Sequence, residues 1–237
     1  MLLRTFLFVC LGILSVIMVG SVSQAHDMWL EESDNGYIVA LGHKGEIDPY
    51  EPERVRQVVA YTMHGWAEEM RVDCREDQCS IFADEPFCAF TAVLDNKYWY
   101  ETTDGWKNQR DNAGLEIIEE GRSYKYTKHI ARWCDFLAKP LGQRIEIVPL
   151  KDPSSMKQGD RLPVKLFFEG KPLTNARLSG SSNMKSTHSL KEISGEGPFL
   201  VEVGPPGAQL INAKYRMPVE GKQVVWFAVS MTFKTKK

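Results

Sequence analysis

The fold class can be read from Ser123-Tyr124-Lys125-Tyr126-Thr127-Lys128-His129-Ile130. Tyr124, Tyr126 and Ile130 alternate with Lys125, Thr127 and His129. A period of two belongs to a strand, where successive side chains point to opposite faces of a sheet. On either side lie further short runs of strand composition, at 36–42, 55–63, 88–94, 162–168, 199–203, 209–216 and 224–233. They are punctuated by turn residues such as His64-Gly65, Asp152-Pro153, Gln158-Gly159-Asp160 and Glu169-Gly170-Lys171-Pro172. Many short strands at this spacing predict antiparallel sandwiches, and no stretch is long and amphipathic enough for a long helix.

Ala138-Lys139-Pro140-Leu141-Gly142 reads as a linker. The expected architecture is therefore mostly β, with two antiparallel β-sandwich modules, 26–138 and 139–237. Two segments read as loops. Residues 43–53 hold Pro49 and Pro52 among acidic neighbours. Residues 95–112 carry Tyr98, Trp99, Tyr100 and Trp106 without any period; such a loop either packs on a sheet edge or closes over a site.

Residues 1–25 contain one charge, Arg4, then an apolar run from Phe6 to Val19, then small and polar residues ending in Ser23-Gln24-Ala25. That is the pattern of a secretory signal peptide cut after Ala25. A membrane anchor needs about 20 apolar residues, and this run is shorter and leads into Gly20-Ser21. The expectation is a periplasmic protein that begins at His26. Cys10 leaves with the signal, and Cys74, Cys79, Cys88 and Cys134 remain. An even number in an oxidising compartment reads as two disulfides, with three pairings to choose from. Cys74 and Cys79 flank the polar tip Arg75-Glu76-Asp77-Gln78, across which two cysteines can meet bridging geometry; Cys88 and Cys134 are then left to each other. The spacings are not the C-x-x-C knuckles of a zinc site. With 29 basic and 31 acidic residues and a net charge of −2, nothing points to nucleic acid or an anionic membrane surface.

A histidine at a chain terminus combines a free α-amine and a ring nitrogen, close enough to chelate one ion, and imidazole suits first-row transition metals. His26 is therefore the first expected metal ligand. His43 follows a strand and precedes a Gly-containing turn, where side chains reach a site from a rigid scaffold. His129 projects from one face of the 123–133 strand, and His64 stands at a strand end before Gly65. These four, in the order His26, His43, His129, His64, form the expected ligand set. His188, in Ser186-Thr187-His188-Ser189, is expected to stand apart. The chain has no G-x-S-x-G, H-E-x-x-H, P-loop or G-x-G-x-x-G motif, so binding rather than catalysis is expected.

Several pieces, taken in order, resemble the periplasmic metal-binding components of bacterial nickel and cobalt uptake systems of the energy-coupling-factor type. They are His26-Asp27-Met28-Trp29-Leu30, Gly42-His43, Tyr98-Trp99 with Thr103-Asp104-Gly105-Trp106-Lys107, Glu146 to Pro153 with Gly159-Asp160, and Gly170-Lys171-Pro172-Leu173. The resemblance implies a second module similar to immunoglobulin-like or transthyretin-like domains. It also implies capture of Ni(II), alternatively Co(II), for a membrane nickel/cobalt permease. Cu(II) or Zn(II) would occupy the same donors in vitro. Two rival readings are a copper histidine-brace enzyme, with the aromatic segment as a carbohydrate platform, and a metal-free envelope or adhesion module.

Overall fold

The computed structural model describes residues 26–43, 45–108, 114–183 and 189–235. The expected signal segment and His188 lie outside these residues. The first half forms β1 (Asp27–Ser33), β2 (Gly36–His43), β3 (Glu46–Ile47), β4 (Val55–Tyr61), β5 (Ala67–Glu69), β6 (Val72–Arg75), β7 (Gln78–Phe82), β8 (Ala89–Thr102), β9 (Gly105–Lys107) and β10 (Ile117–Ile130). The second half forms β11 (Ile145–Pro149), β12 (Arg161–Phe168), β13 (Lys171–Pro172), β14 (Asn175–Ser179), β15 (Ser182–Asn183), β16 (Leu190–Ser194), β17 (Phe199–Glu202), β18 (Gly207–Pro218) and β19 (Gln223–Thr235). Helix among the described residues is confined to single 3-10 turns such as Pro52–Arg54 and Asp135–Ala138. The mostly-β expectation holds.

Each half has a sheet of its own: β1-β2-β7-β6 with β3 beside β2, and β11-β12-β13 with β17 beside β12. The largest sheet draws on both, in the order β16-β14-β18-β19-β10-β8-β4-β5. Its strands serve two cores on alternate residues. Tyr126 and Ile130 of β10, Ile211 and Ala213 of β18, and Phe227, Val229, Met231 and Phe233 of β19 pack with Ile145, Ile147, Leu162, Val164 and Leu166. Val58 and Ala60 of β4 and Phe90, Ala92 and Leu94 of β8 pack with Met28, Leu30, Val39, Leu41 and Ile81. The two sandwiches thus share a wall. The join is a parallel pairing of β10 with β19, from Glu120 opposite Gln223 to Ile130 opposite Phe233. Parallel neighbours need a long crossover, and the whole second half supplies it.

The expected linker is tied into this wall. Leu141 and Gly142 donate their amides to the Glu146 carboxylate at 2.8 and 3.2 Å, and the Gln143 amide donates to the Thr127 carbonyl at 3.1 Å. Glu146 is ion-paired with Lys128, both side chains fully buried.

The two loop expectations are corrected. Glu46–Ile47 is a strand before the proline-containing turn. The aromatic segment continues β8 to Thr102 and returns as β9; its residues 109–113 are outside the described set. The pairing of β8 with β10 slips between Tyr98↔Arg122 and Asp95↔Tyr124, where Lys97 has φ 66°. A bulge inserts an extra residue and reverses the in–out phase, which erases the period a strand normally shows. Both expected disulfides form. Cys74 and Cys79 face each other across β6 and β7 with Cα atoms 4.0 Å apart. Cys88, just before β8, meets Cys134, after β10, at 6.1 Å. Among the described residues no helix is long and apolar enough to cross a membrane.

Candidate metal centre

The pairing of β1 with β2 sets Asp27 opposite Gly42, so His26 stands across from His43. Their ring centroids are 4.3 Å apart. After His43 the chain turns back at once: His43 pairs with Glu46 and Gly42 with Ile47, and the Asp48 amide donates to the Leu41 carbonyl at 2.7 Å. Alternation along β2 puts Leu41 and His43 on one face, and Asp48, opposite Leu41, joins them there. Gly42 permits this return, because a Cβ on it would stand 1.9 Å from the Glu46 carbonyl oxygen. His26, His43 and Asp48 offer donor atoms that all lie within 4.8 Å of one another. His26 Nε2 is 3.1 Å from Asp48 Oδ2, with both side chains about 45% exposed. The cluster therefore sits at the solvent rim of the core formed by Met28 and Leu41.

A polar strip on the shared sheet fixes the position of β1. β1 is an edge strand, and an edge leaves carbonyls unpaired. The His26 carbonyl accepts from Lys125 Nζ and the Met28 carbonyl from the Ser230 hydroxyl. Lys125 is fully buried; burial, reinforced by Lys214 and opposed by Asp27, pushes its ammonium down to about 7. Burial, then His43, Lys125 and Arg54, lower the pKa of His26, with Asp48 opposing. The imidazole is thus neutral at neutral pH, the form that binds metals. Beyond Asp48 opens a cleft of about 520 Å³, bordered by Tyr50, Glu51, Arg54, Asp77, Lys97 and Trp99.

Of the four expected ligands, the structure brings His26 and His43 together and places His129 and His64 elsewhere. His129 lies four residues along β10 from Lys125, roughly 13 Å at about 3.3 Å per residue. It is 5% exposed, its Nδ1 is 2.9 Å from Thr232 Oγ1, and its ring centroid is 5.0 Å from that of Tyr37. Among the described residues its Nε2 has no hydrogen-bond partner, and burial drives its pKa down to about 4. The ring lies on the face of β10 that carries Lys125, but at the far end of β1, where Glu32 and Lys234, and not His26, are the neighbouring charges. His64 is exposed in the turn after β4, its ring centroid 5.7 Å from that of Trp66. Asp48 is the member that the sequence reading missed. The run Gly42-His43-Lys44-Gly45-Glu46-Ile47-Asp48 carries a signal for it: a tight return at Gly45 aligns position 48 with position 41.

Residues 23–217 match a family described as a domain of unknown function, DUF4198. No curated protein matches the chain in sequence.

Proposed function

We propose, for a chain that belongs to the DUF4198 family, that the mature protein captures a divalent transition metal in the periplasm through His26 and His43. The cargo is nickel, with cobalt as the alternative, and the recipient is a membrane nickel/cobalt permease. One observation carries this reading: the cross-strand placement of His26 beside His43, with the Asp48 carboxylate within 4.8 Å of both. Two imidazoles suit divalent first-row metals. The half-exposed position of the group suits a cargo that must enter and leave. Cleavage after Ala25 adds the α-amine of His26, which closes a chelate ring with Nδ1 of the same residue. Copper outranks nickel and cobalt at most such donor sets, so metal supply and the neighbouring transporter, not affinity, select the cargo.

Calorimetric titration with Ni(II) tests the reading. One extra residue before His26 turns the amine into an amide, a far poorer ligand. The expected loss is on the order of 100-fold, about 2.7 kcal/mol, with the fold unchanged, and His43→Ala should lose as much. Binding should also release protons and weaken towards about pH 5, since the amine ordinarily titrates near 7.7–8.0 and imidazole near 6.5. Equal affinity with and without the extra residue rules out the chelate.

A further inference from the structure

We propose that Asp48 and Lys125 are positioning residues for His26. The Asp48 carboxylate locks the imidazole as its Nε2–H tautomer, and the Lys125 amine holds the carbonyl, so Nδ1 and the α-amine are the donors left free. The inference rests on the metal-binding reading above and assigns Asp48 a role beside the ion instead of on it.

A neutral imidazole has one N–H and one lone pair, and the partner of one nitrogen decides which is which. His26 Nε2 lies 3.1 Å from Asp48 Oδ2. An ionised carboxylate only accepts, so the proton belongs on Nε2 and the lone pair on Nδ1. Nδ1 is also the nitrogen near the main chain: N, Cα, Cβ, Cγ and Nδ1 close a six-membered ring with a metal, whereas Nε2 points away. The opposite tautomer would place a proton on the chelating atom. Metal-bound histidines commonly donate their other N–H to a carboxylate, which fixes the ring and raises its basicity. Here the same relation is in place before any ion arrives.

The backbone of His26 is held as well. Its carbonyl accepts from Lys125 Nζ, and Lys125 rises from the middle of β10, fully buried. Ring and carbonyl are thus held from two directions, by the return after β2 and by the shared sheet. His43, with its ring beside that of His26, supplies the next donor. Lys125 and Arg54 place positive charge near His26, and Asp48 is the charge that opposes them. An anion hydrogen-bonded to the ring relays part of its charge to the metal through that ring.

Two measurements decide the matter. Long-range proton–nitrogen correlation spectra of ¹⁵N-histidine-labelled, metal-free mature protein at neutral pH should show His26 as the Nε2–H tautomer. Asp48→Ala should give a mixture, and Asp48→Asn, whose amide oxygen still accepts, should restore the single form. In Ni(II) titrations, Asp48→Ala should lose roughly 10–100-fold in affinity and Asp48→Asn only a few-fold. An Nδ1–H tautomer in the wild type overturns the inference, as does an Asp48→Asn loss equal to that of Asp48→Ala, which would make Asp48 a direct ligand. Lys125→Met should bind Ni(II) roughly 10-fold more weakly while melting no lower than the wild type; unchanged affinity would remove Lys125 from the proposal. The tautomer is read without metal, so failure of nickel binding and failure of the lock are separate results.

Discussion

From Lys125 to Ile130, β10 is buried on both faces, and each face carries a lysine. Lys128 points towards β11 and has a carboxylate: it pairs with Glu146 and donates to the Ile147 carbonyl at 2.9 Å, while Glu146 also accepts the Leu141 and Gly142 amides. The network is closed and surrounded by the apolar core of Tyr126 and Ile130. Lys125 points the other way, towards β1, and has a carbonyl. Its face continues through Thr127, Ser230, Thr232 and His129, a row of polar side chains that holds an edge strand by its main chain. The closed network joins the two halves, and the open row ends on His26, which keeps donors to spare.

The largest effect should come from breaking the closed network. Lys128→Met leaves Glu146 buried without its cation, and removing one partner of a buried pair costs about 3–5 kcal/mol. Urea unfolding monitored by tryptophan fluorescence measures it. Lys128→Met with Glu146→Leu should recover part of the loss, because an apolar pair often replaces a buried ion pair at little cost. If Lys128→Met proves milder than Lys125→Met, the contrast between the two faces fails.

His129 should show the next effect, and only in acid. Burial holds its pKa at about 4, against about 6.5 in an unfolded chain. Between these values the unfolded chain binds a proton that the folded one refuses, so stability falls as pH drops from about 6.5 to about 4 and changes no further below that. The contribution is at most on the order of 3 kcal/mol. His129→Phe should remove it, so the difference in unfolding free energy between wild type and variant should change across this window and stay flat at and above about pH 7. The variant should bind Ni(II) as the wild type does; loss of affinity would return His129 to the ligand set.

The strands and the pairing of Cys74 with Cys79 were legible because both depend on neighbours close in sequence: alternation, turns and a hairpin tip. The junction of the halves was not. Glu120 and Gln223 are brought together by a parallel pairing, and nothing local in either strand names so distant a partner. β8 beyond Asp95 was unreadable because the bulge at Lys97 resets its phase. In the site, His26 and His43 stood out by residue type and position. Asp48 did not, because an aspartate before a proline reads as loop until the register of β2 with β3 is known. His129 misled for the converse reason: a histidine alternating along a strand looks like a ligand whichever end of β1 it faces.

The smallest effect should separate holding the strand from holding the histidine. Ser230 donates to the Met28 carbonyl and shares a hydrogen bond with Thr127 Oγ1 at 2.8 Å, two residues along β1 from the site. Ser230→Ala leaves a buried carbonyl without its donor, a loss of about 1–2 kcal/mol. The β1–β2 pairing still keeps His26 opposite His43, and Lys125 still holds the His26 carbonyl. Nickel affinity should therefore change by less than about 3-fold, within 1 kcal/mol. Lys125→Met should give the opposite pair of results, with stability kept and affinity reduced. Unfolding and calorimetry on the same two variants test this crossing. If Ser230→Ala weakens nickel binding as much as Lys125→Met does, then β1 acts on the site as one rigid body, and the Lys125 contact has no role of its own.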